Sequence, residues 1–96
     1  MDAKTAAQKT IVGIQNHLVS LSHKIHANPE LRFEETEASA LLAESLANSG
    51  FVVETGICDL STAFIARAGN GPLHIAICAE YDALPGVGHA CGHNMI

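Results

Sequence analysis

A chain of 96 residues has room for one domain at most, and an apolar fraction of 48% excludes a disordered tail. Its 5 basic and 10 acidic residues give a net charge of −5, which argues against nucleic acid or an anionic membrane surface as partner. The sequence has no apolar stretch near the roughly 20 residues of a membrane helix and no visible secretory signal, and its three widely spaced cysteines are typical of a reducing compartment. We therefore expect a cytoplasmic protein.

The first quarter of the chain has a helical pattern. Apolar residues recur there at alternating spacings of three and four, which predicts one amphipathic helix over residues 3–27. The stripe consists of Ile11, Ile14, Leu18, Leu21 and Ile25. Asn28 and Pro29 should end this helix, because the residue before a proline is disfavoured in the α conformation.

A second helix is predicted over residues 33–48. Its buried face is expected to contain Ala38, Leu41, Leu42, Ser45 and Leu46. Three acidic residues fall in its first turn, where the helix dipole favours negative charge: Glu34, Glu35 and Glu37. Gly50 can take the left-handed conformation that ends many helices, so we expect the helix to stop just before it.

The chain then changes to strand-like runs at residues 51–54, 62–67 and 73–79. The turn residues at 69–72 predict a hairpin between the second and third runs. The third run is apolar enough for a central strand buried on both faces, with Cys78 as a small core residue. Two helices followed by strands of a mixed sheet predict an α/β fold.

Residues 80–94 carry most of the reactive groups of the chain. They contain two carboxylates, two histidines, a thiol and three glycines, and they follow the end of the third run. Ligands of α/β proteins bind beyond such strand ends. In extended backbone, Cys91 and His93 would point the same way, and Gly92 between them lets the backbone bend. Imidazole and thiolate suit Zn²⁺ and its borderline neighbours, and a thiolate can bridge paired cations.

Asp82 ends the strand and could accept the second ring N–H of a metal-bound histidine, which would fix its tautomer. The residues alone leave other interpretations open. A Cys-Gly-His triplet is more often a turn with a buried thiol, and an aspartate before a proline turn often caps that turn. Glu80 is either a ligand or a residue that lines the strand end.

Two motifs resemble the metal-binding stretch of the M20 metallopeptidases. They are Glu-Tyr-Asp-Ala-Leu-Pro at 80–85 and Gly-His-Ala-Cys-Gly-His-Asn at 88–94. The run His-Ala-Asn-Pro-Glu-Leu at 26–31, followed by Glu35 and Thr36, is similar to the amino-terminal pattern of the family's amidohydrolase branch. Asn94 stands where many relatives have aspartate, which resembles the aminobenzoyl-glutamate hydrolase and dipeptidase side of that branch.

The resemblance implies roles for individual residues. Cys91 matches the thiolate that bridges two divalent cations, His93 matches an imidazole ligand, and Asp82 matches the carboxylate that orients the metal-site histidine. His89 matches a position without a ligand role. The implied cofactors are two divalent metal ions, zinc or manganese, with cobalt or nickel as alternatives.

The resemblance also implies that the chain is the amino-terminal part of a zinc-peptidase-like α/β/α catalytic domain. A general-base glutamate, further ligands and a dimerisation domain would lie beyond residue 96. The expected function is metal-dependent hydrolysis of amide bonds in N-acyl amino acids, aminobenzoyl-glutamate-like substrates or dipeptides, by a full-length homodimer with no nucleic-acid or membrane partner. The 96 residues alone should be inactive. The alternative is a non-catalytic module that binds metal weakly or docks on a partner.

Overall fold

Three helices precede a two-stranded antiparallel sheet in the computed structural model, which describes residues 1–96. The helices are α1 (Ala3–Gly13), α2 (Gln15–Ala27) and α3 (Thr36–Asn48), and the strands are β1 (Val52–Thr55) and β2 (Phe64–Arg67). Single 3₁₀ turns lie at Ile57–Asp59 and His93–Met95. The predicted α/β class is confirmed. None of the helices combines the length and the apolar character needed to cross a bilayer.

The single helix predicted over residues 3–27 is wrong, because the structure breaks it at Ile14. That residue has φ −112° and ψ 12°, and Gly13 before it is a weak helix former. The predicted stripe is also wrong as a buried face: Ile25 is its one buried member, and Ile11 is 54% exposed. Since α1 buries no residue, little holds the two helices in one line. The predicted stop is confirmed, with Asn28 as the residue that follows α2.

Helix α3 starts at Thr36, three residues later than predicted, because the backbone before it is not helical. Phe33 has a left-handed φ of 65°, and Glu35 has ψ 55°. Only Glu37 of the three acidic residues lies in the first turn. The buried residues of α3 are Ala38, Ser39 and Ala43, and the predicted Leu41, Leu42, Ser45 and Leu46 are half-buried. Gly50 has φ 95°, as its predicted role requires.

The hairpin joins the first and second runs, so the predicted pairing of the second run with the third is wrong. Strands β1 and β2 run antiparallel, with Val52 opposite Arg67 and Thr55 opposite Phe64. Gly56 takes the left-handed conformation directly after β1 and reverses the chain there.

Residues 73–79 form no strand, so the predicted central strand is wrong for this structure. Leu73, Ile75 and Ile77 are 78%, 80% and 90% exposed, and Cys78 is exposed rather than in a core. The physical reason is the lack of neighbours: β1 and β2 make up the whole sheet, and no other strand of the chain lies beside this segment. We call residues 73–79 the apolar segment below.

The chain buries little of its surface. Its accessible area is 7337 Å², whereas a globular protein of 10.1 kDa exposes about 5,300 Å². The buried apolar residues are Ile25, Ala38, Ala43 and Ala83. A core of this size provides weak hydrophobic stabilisation. The apolar segment lies outside this core, so it is free to pair with other chains.

We expect the purified 96-residue chain to self-associate through the apolar segment. Burial of one isoleucine side chain contributes about 2 kcal/mol, so Ile77→Lys should weaken association about 30-fold. Sedimentation equilibrium over a range of concentrations measures this. Gln8→Lys adds the same charge at another exposed position and is the control. A wild-type chain that stays monomeric and melts sharply and reversibly would contradict the prediction.

Candidate functional site

The reactive stretch at 80–94 is held at its start by two contacts. The hydroxyl of Tyr81 donates to the carbonyl oxygen of Thr62, and its ring stacks on Phe64 of β2 with centroids 6.0 Å apart. The backbone N–H of the buried Ala83 donates to the carbonyl oxygen of Glu30 at 2.7 Å. Asp82 lies between these two anchored residues, so its backbone is fixed on both sides.

His93 lies between two carboxylates. Its Nδ1 is 2.7 Å from Oδ1 of Asp82, and its Nε2 is 3.0 Å from Oε2 of Glu80. The Asp82 side chain is 30% exposed, whereas that of Glu80 is 66% exposed. A carboxylate at Nδ1 stabilises the tautomer that carries its proton there, so Nε2 is the nitrogen that gains a lone pair when the ring loses its second proton. The structure therefore brings Asp82 and His93 together, although their roles at a metal stay predictions.

The two carboxylates change the acid strength of His93. The hydrogen bond to Asp82 raises the pKa of His93, and the charges of Asp82 and Glu80 add to this, while desolvation opposes it. Without a cation the ring keeps its second proton to a higher pH than an ordinary histidine. A cation at Nε2 would have to displace that proton and the Glu80 carboxylate.

The end of the chain docks on α2. Gly92 has φ 82°, which permits the tight turn between Cys91 and His93. The side-chain amide of Asn94 then donates to Oγ of Ser22 at 3.0 Å. This contact fixes the 3₁₀ turn that carries His93 against the second helix.

His89 is buried without hydrogen-bond partners for either ring nitrogen. Its ring lies 6.2 Å from that of His26 at the end of α2. Burial lowers the pKa of His89, and the nearby histidines act in the same direction. The ring is therefore neutral near pH 7, and it packs between the reactive stretch and α2.

Cys91 is a free, exposed thiol that makes no hydrogen bond, so the structure does not join it to Asp82 and His93. No three or more histidine, cysteine, aspartate or glutamate side chains are grouped so that they could hold a metal ion. The donor types suit a zinc-like cation in their chemistry. These 96 residues do not bring together the three or four ligands that a stable metal site needs.

Sequence reasoning missed the role of Glu30. Its Oε2 accepts from Oγ1 of Thr36 at 3.1 Å and from the N–H of Glu37 at 3.0 Å, and its Oε1 accepts from the N–H of Ala38 at 2.8 Å. Burial raises the pKa of Glu30, but these hydrogen bonds outweigh it and hold the pKa below its usual value. Glu30 thus caps α3 from six to eight residues away, whereas the recognisable capping motifs span three residues.

No family model matches the chain, but several characterised proteins are similar to it. Thermostable carboxypeptidase 2 of Saccharolobus solfataricus is 36% identical over 98% of this chain and 28% of its own length. A p-aminobenzoyl-glutamate hydrolase chain of Escherichia coli is 36% identical over 79% of this chain and 19% of its own length. The Xaa-Arg dipeptidase of Homo sapiens is 38% identical over 82% of this chain and 21% of its own length.

These relatives define a class of proteins, the peptidases and amidohydrolases of the M20 family. The chain belongs to that family, which confirms the resemblance of its sequence motifs. It spans between 19% and 28% of the length of these three relatives.

Proposed function

We propose that this chain is the amino-terminal part of a metal-dependent amidohydrolase. The observation that carries the proposal is the 2.7 Å contact between Asp82 and Nδ1 of His93, since metal-bound histidines characteristically donate their other ring N–H to a carboxylate. Its substrates would be N-acyl amino acids, aminobenzoyl-glutamate-like amides or dipeptides. The names of two relatives, an aminobenzoyl-glutamate hydrolase and a dipeptidase, support that choice of substrate class.

In this proposal the imidazole of His93 and the thiolate of Cys91 would hold two divalent cations, zinc or manganese, with cobalt or nickel as alternatives. Bound cations of this kind polarise an amide carbonyl and lower the pKa of water toward about 7. Asp82 acts on the chemistry through His93, whose tautomer and direction it holds. Glu80 has to release Nε2, and its largely exposed side chain leaves it free to move.

The remaining ligands and the general base would lie outside these 96 residues, in a longer homodimeric protein. The chain alone is expected to turn over no substrate, because its side chains assemble no group of three or more ligands. The partner of the site is a small-molecule amide.

A panel of amides tests the proposal in the full-length protein. N-acyl amino acids, p-aminobenzoyl-glutamate and dipeptides should be hydrolysed, and removal of metal by a chelator should lower the rate about 10³-fold, because cations contribute several kcal/mol to such reactions. Re-addition of zinc, manganese or cobalt should restore the rate. Hydrolysis that continues unchanged in the metal-free protein would overturn the proposal.

A second candidate is a non-catalytic module that docks on a partner. The exposed apolar segment favours it, since its unpaired backbone and apolar side chains are free to associate with another chain. The coding sequence decides between the two. A continuation that encodes a glutamate pair and further histidines supports the enzyme, and a stop codon directly after Ile96 supports the module.

A further inference from the structure

The segment that leads from α2 to α3 contacts the reactive stretch (residues 80–94) on one side and α3 on the other. Its anchor on α3 is Glu30, whose carboxylate accepts hydrogen bonds from Thr36, Glu37 and Ala38. Asn28 adds a side-chain hydrogen bond to Oε2 of Glu37 at 2.6 Å. Since a carboxylate that faces the N–H groups of a helix start is favoured by charge and by hydrogen bonding, this end of the segment is firmly held.

The backbone of the same residue holds the loop. The carbonyl oxygen of Glu30 accepts from the N–H of Ala83 at 2.7 Å, and Leu31 forms a parallel bridge with Ala83. Ala83 is 3% exposed and is the one buried apolar residue of the reactive stretch. Because a buried N–H without a partner is costly, this contact strongly fixes the position of Ala83.

Ala83 directly follows Asp82, whose carboxylate is 2.7 Å from Nδ1 of His93. A continuous path of hydrogen bonds and covalent bonds therefore runs from the start of α3 through Glu30 and Ala83 to Asp82 and His93. An error of about 1 Å in the position of Asp82 would break its contact with the ring, since hydrogen bonds weaken steeply with distance and angle.

We propose that Glu30 is a positioning residue for the metal ligands: its side chain is fixed on α3, and its carbonyl oxygen holds Ala83 so that Asp82 reaches His93. This inference rests on the proposed function. Glu30 touches neither substrate nor cation and acts through Asp82.

A double-mutant cycle in the full-length protein tests this role. Glu30→Gln keeps the shape of the side chain but replaces one acceptor oxygen by an amide donor, so it faces the N–H groups of α3 unfavourably. The affinity of metal-free Glu30→Gln for cobalt should be about 10-fold lower than that of wild type, as is usual when a residue that holds a metal ligand in place is replaced. In an Asp82→Asn background the same change should cost no further affinity, because the two residues act along one path.

The control is Glu34→Gln, an exposed glutamate without side-chain hydrogen bonds, which should leave cobalt affinity unchanged. Hydrogen exchange at the Ala83 amide should speed up in Glu30→Gln and stay slow in Glu34→Gln. If Glu30→Gln does not fold, Thr36→Val removes one of the three hydrogen bonds to the carboxylate and should give a smaller loss of affinity. An equal loss from Glu30→Gln in both Asp82 backgrounds would overturn the role, because a general structural effect adds independently.

The results separate this inference from the proposed function. Cobalt that binds equally to wild type and to Cys91→Ser would overturn the proposed function. If cobalt binding requires Cys91 but is as tight in Glu30→Gln as in wild type, the positioning role alone would be overturned.

Discussion

Replacement of Cys91 by serine is expected to lower amide hydrolysis by the full-length protein at least about 10³-fold. A serine hydroxyl stays protonated near pH 7, so it could not replace the thiolate that the proposed function assigns to two cations. The loss of several kcal/mol of electrostatic stabilisation corresponds to that factor. The rate of hydrolysis and the bound metal, measured by atomic absorption, should fall together.

Cys58→Ser is the matched control for this prediction. Cys58 is another exposed free thiol, and it lies in the 3₁₀ turn between the two strands, in a different part of the sequence from the reactive stretch. Its replacement should leave the rate and the metal content within about 2-fold of wild type, as is usual for surface changes. A fully active Cys91→Ser protein would show that the thiol takes no part in the mechanism.

Substitution of Asp82 by asparagine is expected to weaken cobalt binding about 10- to 100-fold near pH 8, since the ring of His93 loses its orienting carboxylate. Excess metal should restore the activity of Asp82→Asn but not that of Cys91→Ser, because Asp82→Asn keeps both proposed ligands, Cys91 and His93. Asp59→Asn is the control: Asp59 has φ 58°, a conformation that asparagine tolerates equally well.

The pH dependence of this effect has a definite sign. Asp82 raises the pKa of His93, so wild-type affinity falls as the pH decreases through that raised value and a proton competes for Nε2. Without the carboxylate the proton is held less tightly, and the fall in affinity starts at a lower pH. The difference in cobalt affinity between wild type and Asp82→Asn should therefore become smaller as the pH falls from about 8 to about 6. A gap that widens on acidification would show that Asp82 acts in another way.

Local signals in the sequence predicted those features whose causes are local. Asn28 before Pro29 and the left-handed Gly50 mark helix ends in the sequence, and both ends are found in the structure. The break at Ile14 was missed because Gly13 costs only about 1 kcal/mol in a helix, and the apolar stripe argued for continuity. That stripe has little to pack against here, so it does not straighten the helix.

Long-range features could not be derived in the same way. The pairing of β1 with β2 instead of the third run depends on which neighbours a strand finds, and hydrophobic pattern alone does not encode this. Within the candidate site, the position of Asp82 after the third apolar run suggested a carboxylate partner for a metal-site histidine, and the structure places this carboxylate 2.7 Å from Nδ1 of His93. The contact of Glu80 with Nε2 and the remote cap by Glu30 depend on the tertiary fold, and neither has a short sequence motif.

Tyr81 gives this chain a built-in spectroscopic probe. The sequence has one tyrosine and no tryptophan, so its intrinsic fluorescence comes from the ring of Tyr81. This ring stacks on Phe64, and Tyr81 directly precedes Asp82 in the chain. The hydrogen bond of its hydroxyl to a backbone carbonyl makes the emission intensity sensitive to whether the loop stays attached to β2. Detachment of the reactive stretch from β2 can thus be followed by tyrosine fluorescence without any added label.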